Sequence, residues 1–510
     1  MPNKYVEKIL RAQIYDVVKE TPLQIASRLS QRLDNHVLLK REDLQPVFSF
    51  KLRGAYNALK SLDRQVAAKG VIAASAGNHA QGVAYSAKCL GIDALIVMPS
   101  TTPQIKISAV KSYGAEVILT GDSYDEAYIH ALELVAERGL TLIHPFDDSA
   151  VIAGQGTIAM ELLRQNAGPP DVIFVPVGGG GLISGIGAYV KSVYPQVKVI
   201  GVEPEDAPTL HRSLVEGRRV VLPQVGIFAD GVAVKQLGQE TFRVAKQVVD
   251  EVVLVSTDEI CAAIKDLFDD TRTIAEPAGA LAVAGLKRYV ATHELHEQQL
   301  VAIESGANIN FDRLRHVAER AELGENHEAL LAVDIPEKEG SFLAFCMVLG
   351  KRSVTEFNYR YTDCQRALVF VGVELRGGVD ERSGLVTRLQ EAGYKVVDMT
   401  DNETAKLHIR YMVGGHAPSV EDERLYRFEF PERPGALLDF LSAMDGRWNI
   451  SLFHYRNHGA AYGRVLMGVQ VLAEERVQFQ QFLQQLGYRW TDETENLAYQ
   501  LFAGTGQPSC

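Results

Sequence analysis

Between Val71 and Glu304 the chain alternates short apolar runs with longer stretches of helical periodicity. "GVIAAS" (70–75), "DALIVMPS" (93–100), "AEVILTG" (115–121), "DVIFVPVGGGG" (171–181) and "VKVIGVEPE" (197–205) each carry consecutive apolar residues and close on Gly, Ser or Pro. That pattern predicts strands buried on both faces, as in a parallel sheet. "SYDEAYIHALELVAERG" (123–139) has the 3.6-residue period and terminal residues of a helix. Strand and helix in alternation predict an open α/β architecture, with ligand-binding loops at the carboxyl ends of the strands.

After about residue 325 the pattern changes to alternating strands with many charges, and it repeats. "PEKEGSFLAF" (336–345) recurs 95 residues later as "PERPGALLDF" (431–440). "VTEFNYR" (354–360) recurs as "ISLFHYR" (450–456), and Gly372 as Gly468, both at an offset of 96. This predicts two copies of one small α+β module, too few for a solenoid and therefore a pair. The expected organisation is an α/β part over 1–325 made of two subdomains, modules at 329–400 and 423–494, and a join over 401–422.

Composition narrows the class. With 510 residues, 46% hydrophobic and 23% charged, the chain can bury several cores. A net charge of −12 argues against nucleic acid as a partner. Five cysteines without C-x-x-C spacing favour a reducing compartment and no thiolate metal cluster. The longest uncharged run, Val172–Val190, holds Pro176 and six glycines, so it predicts no membrane span. The expectation is a soluble cytoplasmic protein.

Several loops carry candidate chemistry. "VPVGGGGLISGIG" (175–187) follows a strand and precedes a helix, the setting of a backbone phosphate site; a tight turn is the alternative. It lacks both the P-loop pattern and the dinucleotide spacing, so a phosphate on another cofactor fits better. "SAGNHAQG" (75–82) offers a hydroxyl, an amide, an imidazole and N–H groups for a carboxylate or ring hydroxyl; N-capping by Ser75 or Asn78 is the alternative. In "FSFKLRGA" (48–55), Leu52, Ala55, Tyr56 and Leu59 place a helix start near Lys51, with Ser49 as a possible cap. A helix N-terminus in apolar surroundings favours the neutral amine of a nucleophilic lysine, although most lysines are solvated. "HPFDD" (144–148), "GQGT" (154–157), "EPAGA" (276–280) and "ESGAN" (304–308) read as site segments or as caps and turns.

Taken in order, these motifs over residues 5–320 resemble the fold-type II (tryptophan synthase β-like) pyridoxal-phosphate enzymes, and among them the serine/threonine dehydratases. The two Pro–Gly modules are similar to the paired ACT-like regulatory region of the biosynthetic members. The resemblance implies that Lys51 holds pyridoxal 5'-phosphate covalently and that Phe50 packs near its ring. It implies that Asn78 bonds the ring hydroxyl, that Gly178, Gly179, Gly180, Gly181 and Leu182 wrap the phosphate, and that Ser305 meets the ring nitrogen. It further implies that Ser75, Ala76, Gly77, Asn78 and His79 hold the substrate carboxylate.

The implied reaction is β-elimination of L-threonine, with L-serine secondary, to 2-oxobutanoate and ammonia, at the head of isoleucine synthesis. Isoleucine inhibition opposed by valine, and a homotetramer, are implied by the same resemblance. Tyr359, Arg360, Tyr455 and Arg456 are the candidate effector residues; strand-face packing is the other reading of them. A serine-preferring dehydratase or racemase, or an inactive amino-acid sensor, are the rival readings. One departure stands out. Relatives such as serine racemase bind a divalent cation through Glu, a backbone carbonyl and Asp, whereas "VEPEDAPTL" (202–210) keeps Glu203 but has Thr209 at the Asp position. No divalent site is expected there; a weak monovalent one stays open.

Overall fold

The structure is a computed structural model. It describes residues 3–336, 341–350, 352, 354–359, 366–411, 420–431, 440, 443–444, 447–456 and 462–502. The chain divides into two compact units, Met1–Ala321 and Glu322–Cys510.

The first unit contains strands β1 (Leu23–Ile25), β2 (His36–Arg41), β3 (Val71–Ala74), β4 (Ala94–Met98), β5 (Glu116–Leu119), β6 (Thr141–Leu142), β7 (Val172–Pro176), β8 (Lys198–Pro204), β9 (Glu251–Val255) and β10 (Gln299–Glu304). They form two sheets rather than one, ordered β1-β2-β10-β7-β8-β9 and β5-β4-β3-β6. Every pairing is parallel except β1 with β2. The five runs read from the sequence are β3, β4, β5, β7 and β8. In β3, β4, β7 and β8 the continuous apolar character follows from helices covering both faces, with one core on each side of the six-stranded sheet and one on each side of the four-stranded sheet. β5 departs from the expected burial: it lies at the edge of its sheet, with Val117 and Ile118 half-buried and Glu116 and Leu119 exposed.

β2 escapes that pattern because its fully buried Lys40 and nearly buried Arg41 look like surface residues. Both are neutralised inside. Lys40 Nζ donates to Glu161 Oε2 at 2.7 Å, and Arg41 pairs with Asp43 at 2.7 Å and with Glu304 at 2.8 Å. The helix Tyr124–Arg138 starts on a Ser123/Glu126 capping box and stops on left-handed Gly139, as its sequence predicts.

In the second unit, β11 (Glu328–Pro336), β12 (Val354–Tyr359), β13 (Arg366–Glu374) and β14 (Lys395–Asp398) form an antiparallel sheet ordered β12-β13-β11-β14. β15 (Glu423–Pro431), β16 (Ile450–Arg456), β17 (Tyr462–Gln470) and β18 (Arg489–Asp492) repeat it as β16-β17-β15-β18. The register repeats too: Leu330 pairs with Gly372 and Leu425 with Gly468. The repeat also runs beyond the motifs visible in sequence. Thr400 Oγ1 accepts from Leu330 N at 3.0 Å, and Thr494 Oγ1 accepts from Leu425 N at 3.0 Å.

The expected join over 401–422 is partly folded. Glu403–Leu407 is a helix with Thr404, Ala405, Lys406 and Leu407 buried. Asn402, which caps it, donates to Asn496 Oδ1 at 3.3 Å, so this stretch binds module to module. Its mixed polar composition hides a packed turn.

Candidate active site

Lys51 opens the helix Lys51–Lys60. Ser49 does not cap it through the usual bond to N2 or N3; its Oγ accepts only from Lys51 N at 3.4 Å. The segment before the helix is laid along the end of β10 instead. Phe50 N donates to Ser305 O at 3.1 Å and Ala307 N to Phe48 O at 2.9 Å. This docking sets the two residues before Lys51 against the Ser305 backbone. Arg53 fixes the helix from its other face, bonding Glu42 at 2.7 and 2.8 Å and Glu161 at 2.5 and 2.8 Å, all three side chains fully buried. "GQGT" belongs to this packing: Gln155 Oε1 accepts from Gly54 N at 3.2 Å and Thr157 Oγ1 from Arg53 Nη1 at 3.0 Å.

Lys51 Nζ donates to Pro145 O at 3.0 Å and lies 5.3 Å from the Phe50 ring centre. Burial draws its pKa down to about 8, against an upward pull from Glu276. The amine is therefore available in neutral form near physiological pH.

Pro145 leads directly to the glycine loop. A Cβ on Gly179 would stand 2.2 Å from the Phe146 ring, and one on Gly181 3.1 Å from Phe146 Cα. Gly180 has φ +89°, where a side chain is strained. Among the described residues, the N–H groups of Gly178, Gly179, Gly180, Gly181 and Leu182 have no hydrogen-bond partner. They sit at the start of the helix Gly181–Val193, an anion cradle. Thr241 Oγ1 braces the loop by donating to Gly179 O at 2.7 Å. The acidic pair in "HPFDD" supplies caps. Asp147 accepts from the N–H groups of Gln239, Glu240 and Thr241, and Asp148 from those of Ala150 and Val151.

The loop after β3 comes to the same place, since a Cβ on Gly82 would be 3.3 Å from Lys51 O. Neither proposed cap is realised: Gly77 is the N-cap of Asn78–Leu90, without a side-chain bond. Ser75 Oγ accepts from Gly77 N at 3.2 Å. Among the described residues, the N–H groups of Ala76, Asn78 and His79 carry no hydrogen bond, which suits a carboxylate. The His79 ring is buried and its Nε2–H meets Ile143 O at 2.8 Å. Burial, with Lys51 nearby, brings its pKa to about 3, so it stays neutral and offers this loop only its backbone N–H. Asn78 Nδ2 donates to Glu276 Oε1 at 2.6 Å. Ser305 Oγ has one long contact, 3.3 Å to Ala278 O.

Four elements thus converge on one point: a neutral-prone amine, an anion cradle, a carboxamide and a weakly held hydroxyl. These are the donor types that pyridoxal phosphate requires at its aldehyde, phosphate, ring hydroxyl and ring nitrogen.

Residues 14–306 match the pyridoxal-phosphate dependent enzyme family, and residues 319–409 and 414–503 match the C-terminal regulatory domain of threonine dehydratase. The chain belongs to the threonine dehydratase family of pyridoxal-phosphate enzymes. It is 58% identical over 503 residues to the biosynthetic L-threonine dehydratase IlvA of Burkholderia multivorans, covering 98% of this chain and 99% of that protein. Processed threonine deaminase isoform 2 of Solanum lycopersicum superposes with a TM-score of 0.62 at 50% identity, over 63% of this chain and 88% of its own. The threonine deaminase of T.th. gives 0.57 at 40%, over 60% of this chain and 98% of its own. The cofactor of this threonine dehydratase family member is pyridoxal phosphate.

At the position matching the cation-binding Glu of serine racemase-like relatives, the Glu203 carboxylate accepts from Leu210 N at 2.7 Å and His211 N at 2.8 Å. Thr209 Oγ1 donates to Val234 O at 2.5 Å. In the second unit Tyr359 lies on β12 in register with Val369, and Tyr455 and Arg456 lie on β16 in register with Val465 and Arg464. Arg360 lies outside the described residues.

Proposed function

We propose that this enzyme is a threonine ammonia-lyase, converting L-threonine to 2-oxobutanoate and ammonia, with L-serine as a secondary substrate. The observation that carries this is the convergence of Lys51 with the cradle at 178–182, Asn78 and Ser305. Bound there through Lys51, the cofactor supplies an electron sink for the pair left at Cα. The N–H groups of Ala76, Asn78 and His79, with the Ser75 hydroxyl, hold the substrate carboxylate. The Lys51 amine, whose burial lowers its pKa and so raises its neutral fraction near neutral pH, would remove the Cα proton. The β-hydroxyl would leave as water with a proton from the phosphate held in the 178–182 cradle, and one water would return when the product imine is hydrolysed, releasing ammonia.

The paired modules support feedback by a small amino acid. Isoleucine inhibits and valine counteracts, with Tyr359, Arg360, Tyr455 and Arg456 as effector contacts. Assembly as a tetramer in the cytoplasm follows the same family resemblance, and light scattering reads the former. Among the described residues no helix is long and apolar enough to cross a membrane. Oxoacid release from L-threonine and L-serine, with and without isoleucine, tests the whole reading. Protein that binds isoleucine yet releases no oxoacid would overturn it in favour of a sensor.

A further inference from the structure

Asn78 is held at both ends of its carboxamide. Asn308 Nδ2 donates to Asn78 Oδ1 at 2.7 Å, and Asn78 Nδ2 donates to Glu276 Oε1 at 2.6 Å. Asn308 is itself oriented, because its Nδ2 also donates to Val47 O at 2.8 Å, which only an amino group can do. Glu276 is equally confined. Its backbone N–H donates to Gly306 O at 3.1 Å. A Cβ on Gly306 would stand 2.8 Å from Glu276 Oε1 and 3.0 Å from Phe48 O, so only glycine lets the carboxylate and the Lys51 entry loop sit this close. Glu276 is 5% exposed, and its carboxylate is aimed at the Asn78 amide.

We infer that Glu276 and Asn308 are positioning residues that lock the rotation of the Asn78 carboxamide, so that one Asn78 Nδ2 hydrogen is always presented to the cofactor. The reasoning is one of counting. An amide oxygen accepts and an amide nitrogen donates two hydrogens. Asn308 occupies the oxygen with a donor, and Glu276 takes one hydrogen with an acceptor. The second hydrogen is the one group left to meet the ring hydroxyl. A free asparagine could instead turn its oxygen toward that hydroxyl, and both orientations would be populated. This inference rests on the proposed contact between Asn78 and the cofactor ring.

The test uses the full-length holoenzyme and two readouts that do not depend on turnover: cofactor dissociation constant and absorption maximum of the bound cofactor. Glu276→Ala and Asn308→Asp each remove one side of the lock, the second without changing side-chain size. Both are expected to weaken cofactor binding by about tenfold, the size of one lost hydrogen bond to a charged group, and to move the absorption maximum in the same direction. Glu276→Gln retains an acceptor that Asn308 forces into register, so it restores affinity to within about twofold. Asn78→Ala separates this inference from its premise. If Asn78→Ala leaves both readouts unchanged, the contact itself is absent. If Asn78→Ala shifts them while folded Asn308→Asp does not, the contact stands and the lock is overturned. Should Glu276→Ala not fold, Asn308→Asp and Glu276→Gln decide.

Discussion

Burial holds the Lys51 pKa at about 8, so its amine is mostly protonated at pH 7 and mostly neutral at pH 9. Only the neutral amine can capture the cofactor. Reconstitution of cofactor-free protein should therefore speed up about tenfold per pH unit on the acid side and level off above about pH 8. A stopped-flow trace of cofactor absorbance measures this, and a rate flat from pH 6 to about 8 would contradict it. Lys51→Arg preserves a cation but removes the primary amine proposed as nucleophile and base. Oxoacid release should fall by roughly a thousandfold or more, as far as in Lys51→Ala.

The elements around the site are held by groups that have no chemistry of their own. Arg53, two residues from Lys51, is enclosed by Glu42 and Glu161. Arg53→Met would leave buried Glu42 without its cation and Glu161 with Lys40 alone, costing about 3–5 kcal/mol in a urea unfolding experiment. Gly179→Ala would drive a methyl into the Phe146 ring, at about 1–3 kcal/mol and with loss of cofactor retention. These two residues also mark what the sequence can and cannot disclose. The four glycines are legible because a run after a buried strand has few uses, yet their packing against Phe146 is not, since that contact spans distant segments. Arg53 escapes notice because a charge in a helical pattern reads as surface; its place between Leu52 and Ala55 on a buried face is the available signal. Glu276 and Asn308 stand out as turn residues, while their joint hold on Asn78 needs three loops folded together. Lys40 and Arg41 hide β2 for the same reason that Arg53 is hidden. Periodicity reports apolar burial and is silent on buried ion pairs.

At the scale of the molecule, catalysis and regulation occupy separate compact units, Met1–Ala321 and Glu322–Cys510. All the groups that converge on Lys51 come from the first. The T.th. threonine deaminase matches 60% of this chain with 98% of its own, so a threonine deaminase of roughly the first unit's extent exists as a folded chain. The second unit has its own cores, one beneath each four-stranded sheet, and a third where the modules meet around Met399, Ala405 and Ala498. A chain ending at Ala321 should accordingly keep the cofactor and release 2-oxobutanoate, with isoleucine no longer affecting the rate. In the full-length protein, Tyr359→Ala and Tyr455→Ala should raise the isoleucine concentration needed for half-inhibition while leaving turnover without effector near its original value. The two tyrosines occupy equivalent strand positions, in register with Val369 and Val465. Equivalent place does not require equal effect, because the modules differ around their shared pattern: Glu328 is held by Arg410, whereas its counterpart Glu423 is held by Tyr499. Inhibition curves for each variant and for the pair rank the two sites. Unchanged curves in both single variants and in the double variant would remove these strands from the effector site.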